Sequence, residues 1–78
     1  MKIVPKSREI QELLAHRGKS QNDVRRDTGL SSVTVTAICR GRRNVTAPVA
    51  KRFADALEVR VNDVFQFLHD GDYADENH

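Results

Sequence analysis

One cysteine, Cys39, is all the sequence has. It cannot close an internal disulfide and has no second thiol with which to hold zinc, so neither device stabilises the fold. His16, His69 and His78 lie too far apart for a recognisable ligand motif and read as solvated or structural, so no metal or cofactor is expected. No apolar run approaches the ~18 residues of a membrane span. The N-terminal MKIVPKSRE lacks the apolar stretch of a secretory signal, which places the expected site of action in the cytoplasm and not at a membrane. The chain also lacks a paired carboxylate in an apolar context, a nucleophile beside a base, and a glycine-rich loop that could cradle phosphate. An enzyme is therefore not expected.

What is present is a small, basic, mixed-charge chain. Seventy-eight residues, 38% of them apolar, make one domain whose core is marginal unless it is helical and well packed or gains burial from a partner. A homo-oligomer is accordingly an open expectation. The net charge of +2 is unevenly spread: all 13 basic residues precede residue 70, against seven of the 11 acids, so Met1 to His69 carries +6. DGDYADENH, residues 70–78, holds the other four acids. A basic body suggests a polyanion partner. The acidic tail reads as disordered, or alternatively as an intramolecular competitor for the basic face.

The chain divides into residues 1–6, an N-terminal arm broken by Pro5; residues 7–69, a helical domain; and the tail. Ser7 sits as an N-cap before a first helix, Arg8 to Arg17, with Ile10, Leu13 and Leu14 at helical spacing and Gly18 beyond. Ser20, with Asp23 three residues on, opens a second helix that stops near Gly29 and has Val24 as its one large apolar residue. Thr46 caps a fourth helix with Pro48 in its first turn and Val49, Phe53, Ala56 and Leu57 along one face, leaving Lys51, Arg52 and Asp55 outside. A fifth helix, about Val61 to His69, would turn Val61, Val64, Phe65 and Leu68 inward. Phe67 falls off that stripe and reads either as a core-edge aromatic or as a dimer contact.

Between the second and fourth helices lies SSVTVTAICRGRR, residues 31–43, whose β-branched alternation Val33-Thr34-Val35-Thr36 reads locally as a strand. A strand needs a partner, and the rest of the chain offers only MKIV. A helix over Ser32 to Arg40, capped by Ser31 and closed by Gly41, places Val35 and Ile38 together and turns Ser32, Val33, Thr36, Ala37 and Arg40 toward other faces. β-branching costs a helix only about a few tenths of a kcal/mol per residue, which tertiary context overrides. Two short helices joined by TGLS form a helix-turn-helix, with Gly29 at the turn and Val24, Leu30, Val35 and Ile38 as the locking residues.

The run SQNDVRRDTGLSSVTVTAICRGRRNVTAPVAKRFADALEVRVNDVF resembles the Cro/CI-type (XRE-type) helix-turn-helix family of bacterial and phage transcriptional repressors, over roughly residues 7–68. The resemblance rests on Ser-Gln opening the second helix, the turn glycine, Arg-Gly ending the third and Ala-Leu-x-Val after the fourth. It implies an all-α, five-helix, lambda-repressor-like domain that reads double-stranded DNA through its third helix. It assigns base reading to Ser32, Val33, Thr36 and Ala37, and phosphate contacts to Gln21, Arg40, Arg42, Arg43 and Asn44. That reading face offers hydroxyls and methyls, and no Arg, Gln or Asn for bidentate purine contacts.

Two departures from the family pattern stand out. Arg25 occupies a place where a small residue normally lets the helices approach, so either the packing opens or its guanidinium escapes along the surface. Leu14 and Cys39 replace a buried Arg and its Glu partner, a joint change to apolar residues that should be tolerated. Cys39 is then a packed residue, or else a redox sensor.

The expected function is a small Cro-like or immunity-type repressor, acting as a homodimer on a palindromic operator with half-sites ~34 Å apart, at the nucleoid of a bacterial or phage-infected cell. Without room for a ligand-sensing domain, its control would come from concentration, operator arrangement or a partner protein. An antitoxin or restriction-modification controller of the same fold is the alternative, as is a protein-interaction module that has lost DNA reading.

Overall fold

The computed structural model describes residues 1–69. The acidic tail, with both readings of it, lies outside the described residues. In chain order the elements are β1 (Lys2–Pro5), α1 (Ser7–Arg17), α2 (Gln21–Thr28), α3 (Ser32–Cys39), α4 (Ala47–Ala56), α5 (Val61–Val64) and β2 (Phe65–Leu68). The fold is thus mostly helical, as expected, but not all-α. β1 and β2 pair antiparallel, with Ile3 opposite Phe67 and Pro5 opposite Phe65.

The expected fifth helix lasts a single turn and gives way to β2. The physical reason lies in the two phenylalanines. On a helix, residues 65 and 67 point about 200° apart, whereas on a strand they share a face. The strand buries Phe65 fully and packs Phe67, half-buried, against the core edge. Its partner is the MKIV segment: residues 1–6, read as an arm, contain β1, and Ile3 is a core residue. The chain enters α1 straight from this ladder, since Lys6 N–H bonds the Val64 carbonyl at 2.8 Å. Ser7 therefore stands inside the helix instead of capping it, and Lys6 takes the N-cap position without a side-chain bond.

The core joins every helix. Ile10 and Leu14 of α1, Val24 of α2, Val35, Ile38 and Cys39 of α3, and Phe53 of α4 are buried together with Leu57, Val64 and Phe65. The Phe53 and Phe65 rings meet edge to face, with centroids 5.8 Å apart and planes at 79°, an arrangement that aromatic quadrupoles favour. On α4 the buried stripe runs through Ala50, Phe53 and Ala54 and continues into the C-cap residue Leu57, leaving Val49 and Ala56 half-buried. Thr46 occupies the N-cap position of α4 but makes no capping bond there. Leu14 and Cys39, the pair that stands where the family carries an ion pair, both lie in this core. Burial pushes the Cys39 thiol above its ordinary pKa, which disfavours the reactive thiolate.

Candidate nucleic-acid interface

The helix-turn-helix is assembled by its own capping chemistry. Ser20 accepts the Asp23 N–H at 3.2 Å, while the Asp23 carboxylate accepts the Ser20 N–H at 2.9 Å. This reciprocal capping box starts α2. The Ser20 backbone N–H, with the Ser20 hydroxyl and the Arg26 guanidinium beside it, holds the Asp23 carboxyl below its usual pKa. A carboxyl depressed in the folded state stabilises above the ordinary Asp pKa, and that contribution is lost as pH falls through the depressed value. Asp23→Asn should therefore lower stability at neutral pH, by a margin that shrinks as the pH drops below the ordinary Asp range. Urea unfolding at a series of pH values checks this; a margin independent of pH would contradict it.

Gly29 ends α2 with φ of 75°, in the left-handed region that glycine enters without strain. The buried Thr28, which the sequence did not single out, holds the turn from the other side. Its hydroxyl donates to the Val24 carbonyl at 2.7 Å and accepts the Leu30 N–H at 3.2 Å. Val24, Val35 and Ile38 are buried and Leu30 is half-buried, so all the expected locking residues meet. Arg25 is exposed at the edge of a small cleft between α2 and α3, outside the buried contact of Val24. The guanidinium escapes along the surface, and the helix pair closes without a small residue at that position.

The VTVT run is helical. Ser31 caps α3 by accepting the Thr34 N–H at 3.2 Å. Val35 then points into the core, while Val33 is 71% exposed, an unusual position for so apolar a side chain. Ser32, Val33, Thr36 and Ala37 line one depression of about 320 Å³, joined by Arg40 and Arg42. Gln21, at the first position of α2, reaches across to this face, where its side-chain oxygen accepts the Thr36 hydroxyl at 3.2 Å. Arg43 and Asn44 do not line that depression; they border a separate groove with Thr34 and Val45.

The far end of α3 is fixed by α1, through residues whose role only long-range structure discloses. Ser7 Oγ donates to the Cys39 carbonyl at 2.6 Å and Gln11 Nε2 donates to the same oxygen at 3.1 Å. Gly41 follows with φ of 68°, and a β-carbon there would stand 3.1 Å from that of Ser7. The left-handed backbone thus favours glycine just before Arg42, and a β-carbon there would also press on Ser7.

A larger hollow of about 600 Å³ lies between α2 and α4, but its cations Lys51 and Arg52 stand among Asp27 and Asp55, with Lys51 paired to Asp55 at 2.9 Å. A polyanion gains less there than beside Arg40 and Arg42, which have no such partner among the described ion pairs. Among the described residues there is no group of three or more potential metal ligands. No described helix is long and apolar enough to cross a membrane.

Residues 9–70 match the model of the Cro/C1-type helix-turn-helix DNA-binding domain. The chain belongs to that family. This Cro/C1-type protein is a DNA-binding transcriptional regulator by family, and solved relatives share its fold. It is similar to the restriction-modification controller protein C.AhdI from Aeromonas hydrophila, at 28% identity and TM-score 0.67 over 73% of this chain and 86% of that one. It is also similar to the controller C.Esp1396I, solved as a tetramer with its natural 35 base-pair operator, at 26% identity and TM-score 0.63 over 69% and 71% of the two chains. The transcriptional regulator VanUg matches at TM-score 0.68 over 87% and 89%, with 18% identity, which speaks for the fold alone. No curated protein matches the sequence.

Proposed function

We propose that this Cro/C1-type regulator is a sequence-specific repressor that binds a palindromic operator as a homodimer, with α3 in the major groove of each half-site. The observation that carries the reading is the exposed side of α3. Ser32, Val33, Thr36 and Ala37 form one shallow surface there, with cationic Arg40 and Arg42 beside it. Methyl and hydroxyl groups suit thymine methyls and single hydrogen bonds, so direct readout is modest. Gln21 meets phosphate at the N-terminus of α2, where free N–H groups favour an anion. Arg40, Arg42, Arg43 and Asn44 contact the backbone, with Arg43 and Asn44 reaching a strand beyond the depression. The work is binding and not catalysis, done in the cytoplasm at the nucleoid.

Val33→Ala tests the reading face. It removes exposed methyls and leaves the core intact, so binding to a preferred duplex should weaken by about 1 kcal/mol, ~5-fold, with scrambled duplex unaffected. Replacing the contacted thymine by uracil should reproduce that loss in the parent protein and add little in the variant. Equal weakening on both duplexes would remove Val33 from the reading face.

A second reading concerns biological setting. The similarity to two restriction-modification controllers, over most of the length of each, supports a role as a controller of that kind. A restriction or methyltransferase gene beside this one, with an operator in its promoter, is the expected result.

A further inference from the structure

The depression on α3 gathers two apolar side chains and two hydroxyls, and the hydroxyls are not equivalent. Val33, 71% exposed, and Ala37 supply methyl groups at i and i+4 on one side of the helix. The Ser32 hydroxyl makes no hydrogen bond among the described residues and is free to turn, to donate or to accept. The Thr36 hydroxyl is committed. Its one proton goes to Gln21 Oε1 at 3.2 Å, and what remains is two acceptor lone pairs.

The direction of that bond is a property of the helix pair and not of threonine in a helix. Helical threonines commonly give the proton to the carbonyl four residues back, as Thr28 does to Val24 at 2.7 Å. Thr36 instead reaches to the first residue of α2. A phosphate held by Gln21 reinforces the arrangement, because an anion takes the amide N–H of Nε2 and leaves Oε1 turned to Thr36. No acid lies on α3 or lines the depression, so Thr36 is its one fixed acceptor side chain.

In the major groove thymine presents its C5-methyl beside the O4 acceptor, while cytosine presents the N4 amino donor in place of O4. Thymine therefore suits Val33, but its O4 would face the lone pairs of Thr36. Unmethylated cytosine suits Thr36 and leaves Val33 in water. 5-Methylcytosine carries both groups on one base, a methyl for Val33 and an amino N–H for Thr36. The two side chains stand at i and i+3, with β-carbons about 5–6 Å apart on one face, so both reach a single base edge. We propose that α3 accepts 5-methylcytosine where it accepts thymine, with Val33 on the methyl and Thr36 on the amino group, so that cytosine methylation within a half-site raises the affinity of this protein for that site. The inference rests on α3 as the reading helix and adds a chemical mark to what that helix reads. Burial of the one added methyl is worth ~4-fold in affinity. Methylation of a cytosine away from Val33 leaves affinity unchanged.

The test places thymine, uracil, cytosine or 5-methylcytosine, each with its matched purine, in turn at every pyrimidine of the preferred duplex, and measures the affinity of the full chain. At the base that Val33 touches, binding should tighten ~4-fold from uracil to thymine and again from cytosine to 5-methylcytosine. Val33→Ala should reduce both gains to less than ~2-fold. Thr36→Val removes the acceptor and should cost the 5-methylcytosine duplex ~3-fold more than the thymine duplex. Gln21→Leu releases the Thr36 proton; it should lower affinity for every duplex and shift the same ratio in the same direction. A uracil-to-thymine gain without a cytosine-to-5-methylcytosine gain would overturn the proposal and leave thymine reading by α3 standing. Neither gain at any pyrimidine would overturn both. A methylation gain that survives Val33→Ala would lie in the shape of the DNA and would overturn the proposal. Equal losses on the thymine and 5-methylcytosine duplexes in the Thr36 and Gln21 variants would remove Thr36 from the base edge, and would overturn it as well.

Discussion

Phe53→Ala is expected to lower stability by about 3–5 kcal/mol, the usual cost of emptying a buried phenylalanine site. A domain of this size has only about 4–10 kcal/mol in total, so the variant should be largely unfolded at 37 °C or close to it. The side chain is fully buried, and its ring meets Phe65 edge to face at 5.8 Å. Its loss therefore strikes α4 and the start of β2 at once. Because α3 rests on the same core through Val35 and Ile38, DNA binding should fall with folding. Urea unfolding followed by circular dichroism measures the effect. A loss under about 1 kcal/mol would mean that the core is organised around something other than this ring.

The second large effect concerns charge. Replacing Arg40, Arg42 and Arg43 together by alanine should weaken binding to every duplex alike and lower the slope of log affinity against log salt by about 3 units, at ~0.9 per phosphate neutralised. All three side chains are exposed, and none takes part in an ion pair among the described residues. Their removal should consequently leave the melting temperature nearly unchanged. Arg43→Ala alone should flatten the slope by about 1 unit. A loss confined to one base position would instead make Arg43 a base-reading residue.

Much of the helical frame was legible because its signals are local. The capping box at Ser20 and Asp23, the left-handed Gly29 and the Ser31 cap each act over a few residues, and each is present. The helical state of VTVT was legible for a different reason: only a helix buries Val35 and Ile38 together. The C-terminal strand was not. Val61, Val64, Phe65 and Leu68 fit a helical stripe, and a short apolar run is ambiguous between periods. What decides it is the partner MKIV, more than sixty residues away, together with the gain from turning Phe65 and Phe67 to one side. The same long-range character hid Ser7 and Gln11, whose bonds to the Cys39 carbonyl join α1 to the end of α3. The candidate interface was legible as a set of residues, but not the division that leaves Arg43 and Asn44 in a groove apart from Arg40 and Arg42. That division depends on the path of the loop around Gly41.

Sequence-specific reading of DNA by α3 is the central claim. Its most direct test is selection of binding sites from a random double-stranded pool with the purified protein, followed by affinity measurements on the selected and a scrambled duplex over a salt series. The account predicts a palindromic site bound ~10³-fold or more above scrambled DNA, with both duplexes losing affinity steeply as salt rises. No enrichment, with equal and equally salt-sensitive binding to both duplexes, would contradict it and leave a basic helical module without a sequence to read.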